Sequence, residues 1–239
     1  PPVVLSRTLR TTGIGESALA ALLAEDAQGL PGLPLAYNPK WQGTDLRFTA
    51  RGLSRMAAER VLDEAVAKLY VRARRYIYGE EEADLAATVL DLARSRGMHI
   101  ATAESCTGGL LGGRITAIPG SSDVYLGGVV AYEDDVKTRL LGVQVNTLRE
   151  HGSVSEAVAL EMAKGVRARI GGDLGVGITG TAGPGGGTAA KPVGLVWIAV
   201  SGDGPDRTFG RVYSGDREEI RLRATQSALD MIRRSLQRE

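Results

Sequence analysis

Met98-His99-Ile100-Ala101-Thr102-Ala103-Glu104-Ser105-Cys106-Thr107-Gly108-Gly109 is the stretch of this 239-residue chain that decides its fold class. Met98–Ala103 is short and apolar, as a buried strand is, and Glu104–Gly109 interrupts it with turn-forming residues. A helical pattern then resumes over Leu110–Ala117. Downstream, Pro119-Gly120-Ser121-Ser122 reads as a turn, Tyr125–Tyr132 as a strand and Asp134–Leu141 as a short helix. Ser153-Val154-Ser155-Glu156 has capping-box spacing and opens a helix that stops at Gly171-Gly172. Asp173–Thr179, Val193–Val200 and Arg207–Tyr213 read as strands, and a C-terminal helix starts at Arg217. Strands alternating with helices imply an α/β layered domain, and the adjacent strands late in the chain imply a mixed sheet.

Upstream, Glu80-Glu81-Glu82 suits the first turn of a helix that carries Leu85, Val89 and Leu92 and ends at Gly97. The division between domains falls near Gly79, giving 1–79 and 80–239. In the first part, Glu16–Ala24 reads as a helix, residues 29–34 as a Pro/Gly-rich turn and Asp45–Arg51 as an alternating strand. Ser54 to about Arg75 reads as a longer helix. The sum is a small α+β unit.

Composition narrows the function classes. With 43% hydrophobic and 24% charged residues the chain is globular, not disordered. Apolar runs such as Val193–Val200 fall well short of the ~18 residues of a membrane span. The one cysteine, Cys106, cannot form an internal disulfide and fits a reducing cytoplasm. Residues 1–79 carry a net +4 and residues 80–239 a net −3, far from the basic stripe of a dedicated nucleic-acid binder. The chain begins Pro1-Pro2-Val3 without methionine or signal-type core, and reads as a piece of a longer protein.

Ser105 lies where a strand turns into a helix. Amides at such a junction can hold an anion or the oxyanion of a tetrahedral intermediate. Ser105 also reads as a plain N-cap. Neither His99 nor His151 is placed as its base, and no Gly-x-Ser-x-Gly or Ser-x-x-Lys occurs. Among five lysines, Lys137 follows the strand ending at Tyr132 and could act as a base if burial favours its neutral form. Its ordinary reading is a surface lysine paired with Asp134 or Glu133. Cys106 is a rival nucleophile or a small buried hydrophobe. The loop Gly180-Thr181-Ala182-Gly183-Pro184-Gly185-Gly186-Gly187 lacks the Walker A Lys and reads as a phosphate cradle or a surface loop. Arg217 could clamp a phosphate or pair with Asp216 or Glu218. No His/Cys/carboxylate cluster has metal-ligand spacing.

Taken together, the order of these motifs resembles the C-terminal domain of CinA proteins, from about Glu82 to Leu236. The carriers are Thr102–Gly109, Pro119–Ser122, Tyr132 with Lys137, Gly152–Ser155, Thr179–Pro184, Lys191–Gly194 and Ser214–Arg217. That resemblance implies a three-layer α/β/α fold with a mixed sheet and an amidase that converts nicotinamide mononucleotide (NMN) to nicotinate mononucleotide and ammonia, as in pyridine nucleotide recycling. It implies a homodimer, and neither a cofactor nor a metal. By the same resemblance Ser105 is the nucleophile, Lys137 the base and Tyr132 a nearby proton carrier. Cys106, Thr107, Gly108, Gly109, Thr179, Gly180, Thr181, Ala182, Gly183 and Arg217 are then substrate-binding. Residues 1–79 resemble the KH-like linker domain of CinA, through Thr11–Glu16. In the family that domain follows a molybdopterin-binding-like domain, which this chain does not contain. A KH clamp needs Gly-x-x-Gly, and Gly13 and Gly15 are spaced differently, so nucleic acid is not the expected partner. An RNA-binding adaptor and a non-catalytic nucleotide sensor remain the alternatives.

Overall fold

A computed structural model describes residues 1–28 and 32–237, which divide into two compact units, Pro1–Leu85 and Ala86–Glu239. The first contains β1 (Val3–Thr11), α1 (Glu16–Gln28), β2 (Leu35–Lys40), β3 (Gly43–Leu53), α2 (Arg55–Ala73) and β4 (Ile77–Glu80). Its antiparallel sheet has the order β2-β3-β1-β4. Leu19 and Leu23 of α1 and Leu62 and Leu69 of α2 share one core with Leu9, Leu46 and Phe48 of the sheet. Ser54 caps α2, its Oγ accepting the Ala57 amide.

Sequence reading finds one of these four strands. β2 contains Pro39 and β4 has only four residues, so neither carries a strand pattern long enough to read. β1 is half-buried along most of its length, without clean alternation. The expected helix start at Glu80–Glu82 is corrected. Glu80 pairs with Leu9 in β4, and the Glu81 amide donates to Thr8 O at 2.8 Å, so α3 (Leu85–Arg96) begins only after the sheet has finished. Of the expected turn at 29–34, residues 29–31 lie outside the described residues.

The second unit continues with β5 (Ile100–Glu104), α4 (Leu110–Thr116), β6 (Tyr125–Val130), α5 (Asp134–Leu141), α6 (Val145–His151) and α7 (Glu156–Ile170). β7 (Leu174–Gly180), β8 (Leu195–Ser201), β9 (Arg207–Val212) and α8 (Arg217–Gln237) complete it. The sheet order is β6-β5-β7-β8-β9, with β5 parallel to both neighbours, β8 antiparallel to β7 and β9 antiparallel to β8. This is the mixed sheet that the late adjacent strands predict.

Side-chain alternation along β5 makes the layers. Ala101 and Ala103 pack with Val158, Met162 and Val166 of α7, while Glu104 turns to the opposite face and meets α4. Helix α8 packs against β7 and β8. Two glycines let α7 lie almost on the sheet: a Cβ at Gly175 or Gly177 would stand 2.0 or 2.1 Å from the carbonyl oxygen of Ala163 or Ala159. Glu104 is in register with Val130 and Ile178, so β5 and β6 end level, β7 runs two residues further, and their following turns meet at one edge. Among the described residues no helix is long and apolar enough to cross a membrane.

Candidate functional site

At the carboxyl ends of β5, β6 and β7 lies a cavity of about 250 Å³. Ser105, Cys106, Tyr132, Lys137, Thr179, Gly180, Ala182 and Arg217 line it, together with Glu133, Asp134, Ser153 and Val154. Sequence reading names the first eight.

Ser105 is the first residue after β5, and its amide still donates to Ile178 O at 2.9 Å. The ladder therefore fixes its backbone. The residue is 7% exposed, and among the described residues its Oγ has no hydrogen-bond partner. The Gly108 amide closes the turn by donating to Ser105 O at 3.0 Å. Among the described residues the Cys106 amide donates to no backbone carbonyl.

Neighbouring amides have partners within the chain. Glu104 is buried, and its Oε2 accepts the Gly109 and Leu111 amides, both at 3.0 Å, while Oε1 accepts Gly112 at 2.8 Å. A carboxylate of the chain itself thus fills the N-terminus of α4, the place an anionic ligand would otherwise take. Thr107 is buried outside the cavity lining. Arg221 grips the turn from behind, with Nε donating to Cys106 O at 3.1 Å and Nη2 to Thr107 O at 2.8 Å. Sequence reading passes over both Glu104 and Arg221. The signal for the former is a carboxylate a few residues ahead of a helix that lacks a capping side chain: the N-cap Gly109 has none.

Lys137 is 1% exposed, which excludes its reading as a surface lysine. The expected pairing with Asp134 nevertheless forms, with Nζ donating to Asp134 Oδ1 at 2.9 Å and to Tyr132 O at 3.2 Å. It makes no direct hydrogen bond to Ser105. Asp134 Oδ2 accepts Ser153 Oγ, and Ser153 O accepts Thr179 Oγ1 at 2.7 Å. Burial pushes the Asp134 carboxyl up, but the hydrogen bonds from Ser153 and Lys137 and the lysine charge outweigh it and hold it below its ordinary value. Ser153 is free for this because Ser155, not Ser153, caps α7, accepting the Val158 amide at 3.3 Å. The capping motif is thus shifted by two residues from its expected place.

Arg217 makes neither of the carboxylate pairs open to it from sequence. Its Nη1 donates to Gly183 O at 2.7 Å and its Nη2 to Tyr132 Oη at 2.8 Å, tying the glycine-rich loop to the turn after β6. Thr181 is held to β8 by backbone bonds with Leu195 O and the Gly194 amide. Gly183 contributes its carbonyl and Thr181 its ladder bonds, and neither lines the cavity. Burial pushes the Cys106 thiol up to about 12, so the thiolate a nucleophile needs is disfavoured. His99 pairs with Asp173 at the other end of β5, and the His151 carbonyl accepts Lys191 Nζ. Among the described residues no group of three or more His, Cys, Asp and Glu side chains could hold a metal ion.

Fold and cavity together define an α/β protein with a polar pocket at the ends of three parallel strands. The chain belongs to the CinA family. The family described as "CinA C-terminal domain" matches residues 82–236, and "Damage-inducible protein CinA KH domain" matches 6–79. A CinA-like protein of Gemmatimonas aurantiaca is 53% identical over 238 residues, covering 100% of this chain and 56% of the relative. A putative competence-damage inducible protein of Halothermothrix orenii is 43% identical, covering 98% of this chain and 57% of the relative. The chain thus spans little more than half the length of these relatives. Among solved structures, the competence/damage inducible protein CihA from Agrobacterium tumefaciens is 42% identical with a TM-score of 0.62, covering 64% of this chain and 93% of that one. The competence damage-inducible protein A of Klebsiella pneumoniae has 37% identity and the same TM-score, covering 64% and 95%.

Proposed function

We propose that the C-terminal unit hydrolyses the carboxamide of NMN to nicotinate mononucleotide and ammonia. The observation that carries the reading is a single cavity holding both a serine hydroxyl without a protein partner and a buried lysine. Ser105 Oγ bonds to the carboxamide carbon while its proton passes to the amine of Lys137. Lys137 takes up that proton beside Asp134, whose carboxylate lies at hydrogen-bond distance from Nζ. The carbonyl oxygen takes the negative charge and faces the Cys106 amide. Losing one such donor costs roughly 100- to 1,000-fold in rate. Lys137 then returns the proton to the departing nitrogen, which leaves as ammonia, with the Tyr132 hydroxyl as a proton carrier between them. Water attacks the acyl-enzyme, giving its proton to Lys137, and Ser105 regains a proton as the acid product departs.

Arg217 is the cation of the cavity lining best suited to the 5′-phosphate, exchanging Tyr132 Oη or Gly183 O for phosphate oxygens. Dimerisation and a cytoplasmic setting accompany this reading as proposals. The test is ammonia release from NMN by the purified chain. Ser105→Ala and Lys137→Met should each remove it while Cys106→Ala retains it, and full activity in Ser105→Ala would overturn the assignment. Nicotinamide mononucleotide that binds tightly without ammonia release would mark the site as a sensor instead.

A further inference from the structure

Three turns of the C-terminal unit converge on Asp134. It is the first residue of α5, three positions before Lys137, a spacing that puts the two side chains on one helix face. One of its oxygens accepts Lys137 Nζ and the other accepts Ser153 Oγ from the turn before α7. Ser153 is itself anchored by Thr179 at the end of β7. An ammonium has three protons to donate. Two of those on Lys137 go to Asp134 and Tyr132 O, and among the described residues the third has no protein partner, in a cavity that Ser105 also lines. Asp134 therefore fixes where the lysine nitrogen stands.

We propose that Asp134, braced by Ser153, is the positioning residue of Lys137 and sets the pH at which the lysine begins to act as a base. The inference rests on the amidase reading above. The other titratable groups that line the cavity are Glu133 on the same turn, Tyr132 before it, Cys106 on the turn after β5 and Arg217 at the start of α8. Helix α7 packs on α5 but sends no titratable side chain into the cavity. Its Glu156 bonds Thr208, Glu161 bonds Thr147, and Lys164 pairs with Asp206. Asp134 is the one carboxylate of the lining with a hydrogen bond to Lys137.

Two measurements test this. The pH dependence of kcat/KM for NMN is compared between the native chain and Asp134→Asn. Removing a carboxylate beside an ammonium favours the uncharged amine, so the limb reporting the base should move about one pH unit lower or more. kcat at the optimum should fall by up to ~100-fold through misplacement, with KM unchanged. Ser153→Thr, which keeps the hydroxyl, should restore more activity than Ser153→Ala. Independently of turnover, the carbon-13 titration of the Asp134 carboxyl should move up toward the ordinary aspartate value in Lys137→Met. Coincident pH profiles for Asp134→Asn and the native chain, or an unmoved Asp134 titration in Lys137→Met, would overturn the proposal. If the native chain releases no ammonia, the amidase reading falls, and the carboxyl titration alone decides whether Asp134 holds Lys137.

Discussion

The Glu104 carboxylate accepts the Leu111 amide at 3.0 Å, so a residue of β5 caps the helix that follows it across the intervening turn. Ser105 is the next residue, and its geometry depends on that cap. Glu104→Gln would replace one acceptor oxygen by an amide NH₂ facing a backbone N–H. Stability should fall by about 1–3 kcal/mol, the cost of a buried unsatisfied donor. Urea denaturation of the variant would check this, and ammonia release should drop with it.

Cys106 should be inert. Its thiol titrates near 12, chiefly because burial disfavours the thiolate, against an ordinary value of 9.0. An iodoacetamide challenge at pH 8 should leave it unmodified until the chain unfolds. The linkage has a definite sign. The folded value lies above the unfolded one, so the associated stability is complete below about pH 9 and is lost as pH rises toward 12. Cys106→Ala should flatten this part of the stability–pH curve.

Asp134 gives the opposite dependence. Its folded-state value lies below the unfolded one, so its stabilisation is complete above the ordinary carboxylate range and is lost as pH falls through the folded value. Thermal melts of the native chain and Asp134→Asn should therefore differ near neutrality and converge in acid. Divergence on acidification would contradict the ion-pair geometry.

Arg217 can be probed by substrate choice. Arg217→Lys loses the planar fork that reaches both Tyr132 Oη and Gly183 O. KM for NMN should rise, whereas turnover of the phosphate-free nucleoside should change little. Equal effects on both substrates would assign Arg217 to holding the loop alone.

Helix α7 should tolerate no methyl group beneath it. In Gly177→Ala the new Cβ would fall 2.1 Å from Ala159 O, and backbone cannot move aside as a flexible side chain can. A loss of about 1–3 kcal/mol is expected from overpacking. Gly113→Ala, at an exposed position inside α4 where nothing stands within 4 Å, is the control that should hold or raise the melt.

The sequence pattern and the structure agree best where a single element carries the signal. The limits of α5 and the start of α8 are read correctly, as is the turn that bears Ser105, because apolar spacing and glycine mark each one. Agreement fails where a partner is distant in sequence. Ser153 sits in a motif that looks like a helix cap, and only the fold brings it to Asp134, 19 residues away. Glu104 reads as one more strand residue until its three amide partners are seen. The burial of Lys137 is invisible in its own helix, whose neighbours Glu133, Asp134 and Asp135 are all charged. In the N-terminal unit, β1 is held by pairing with β3 and β4, and β4 by pairing with β1, long-range contacts that neither strand announces locally.

Strand β5 has a neighbour on each side and is buried on both faces. If it slid by one residue, every side chain would exchange faces: the alanines that seat α7 would swap with the acid that caps α4, and the hydroxyl that follows would turn away from its lysine. Misthreading at this strand is thus all-or-none. A chain assembled out of step has no half-formed version of the pocket to offer, so on the amidase reading correct assembly of the sheet can be followed through ammonia release.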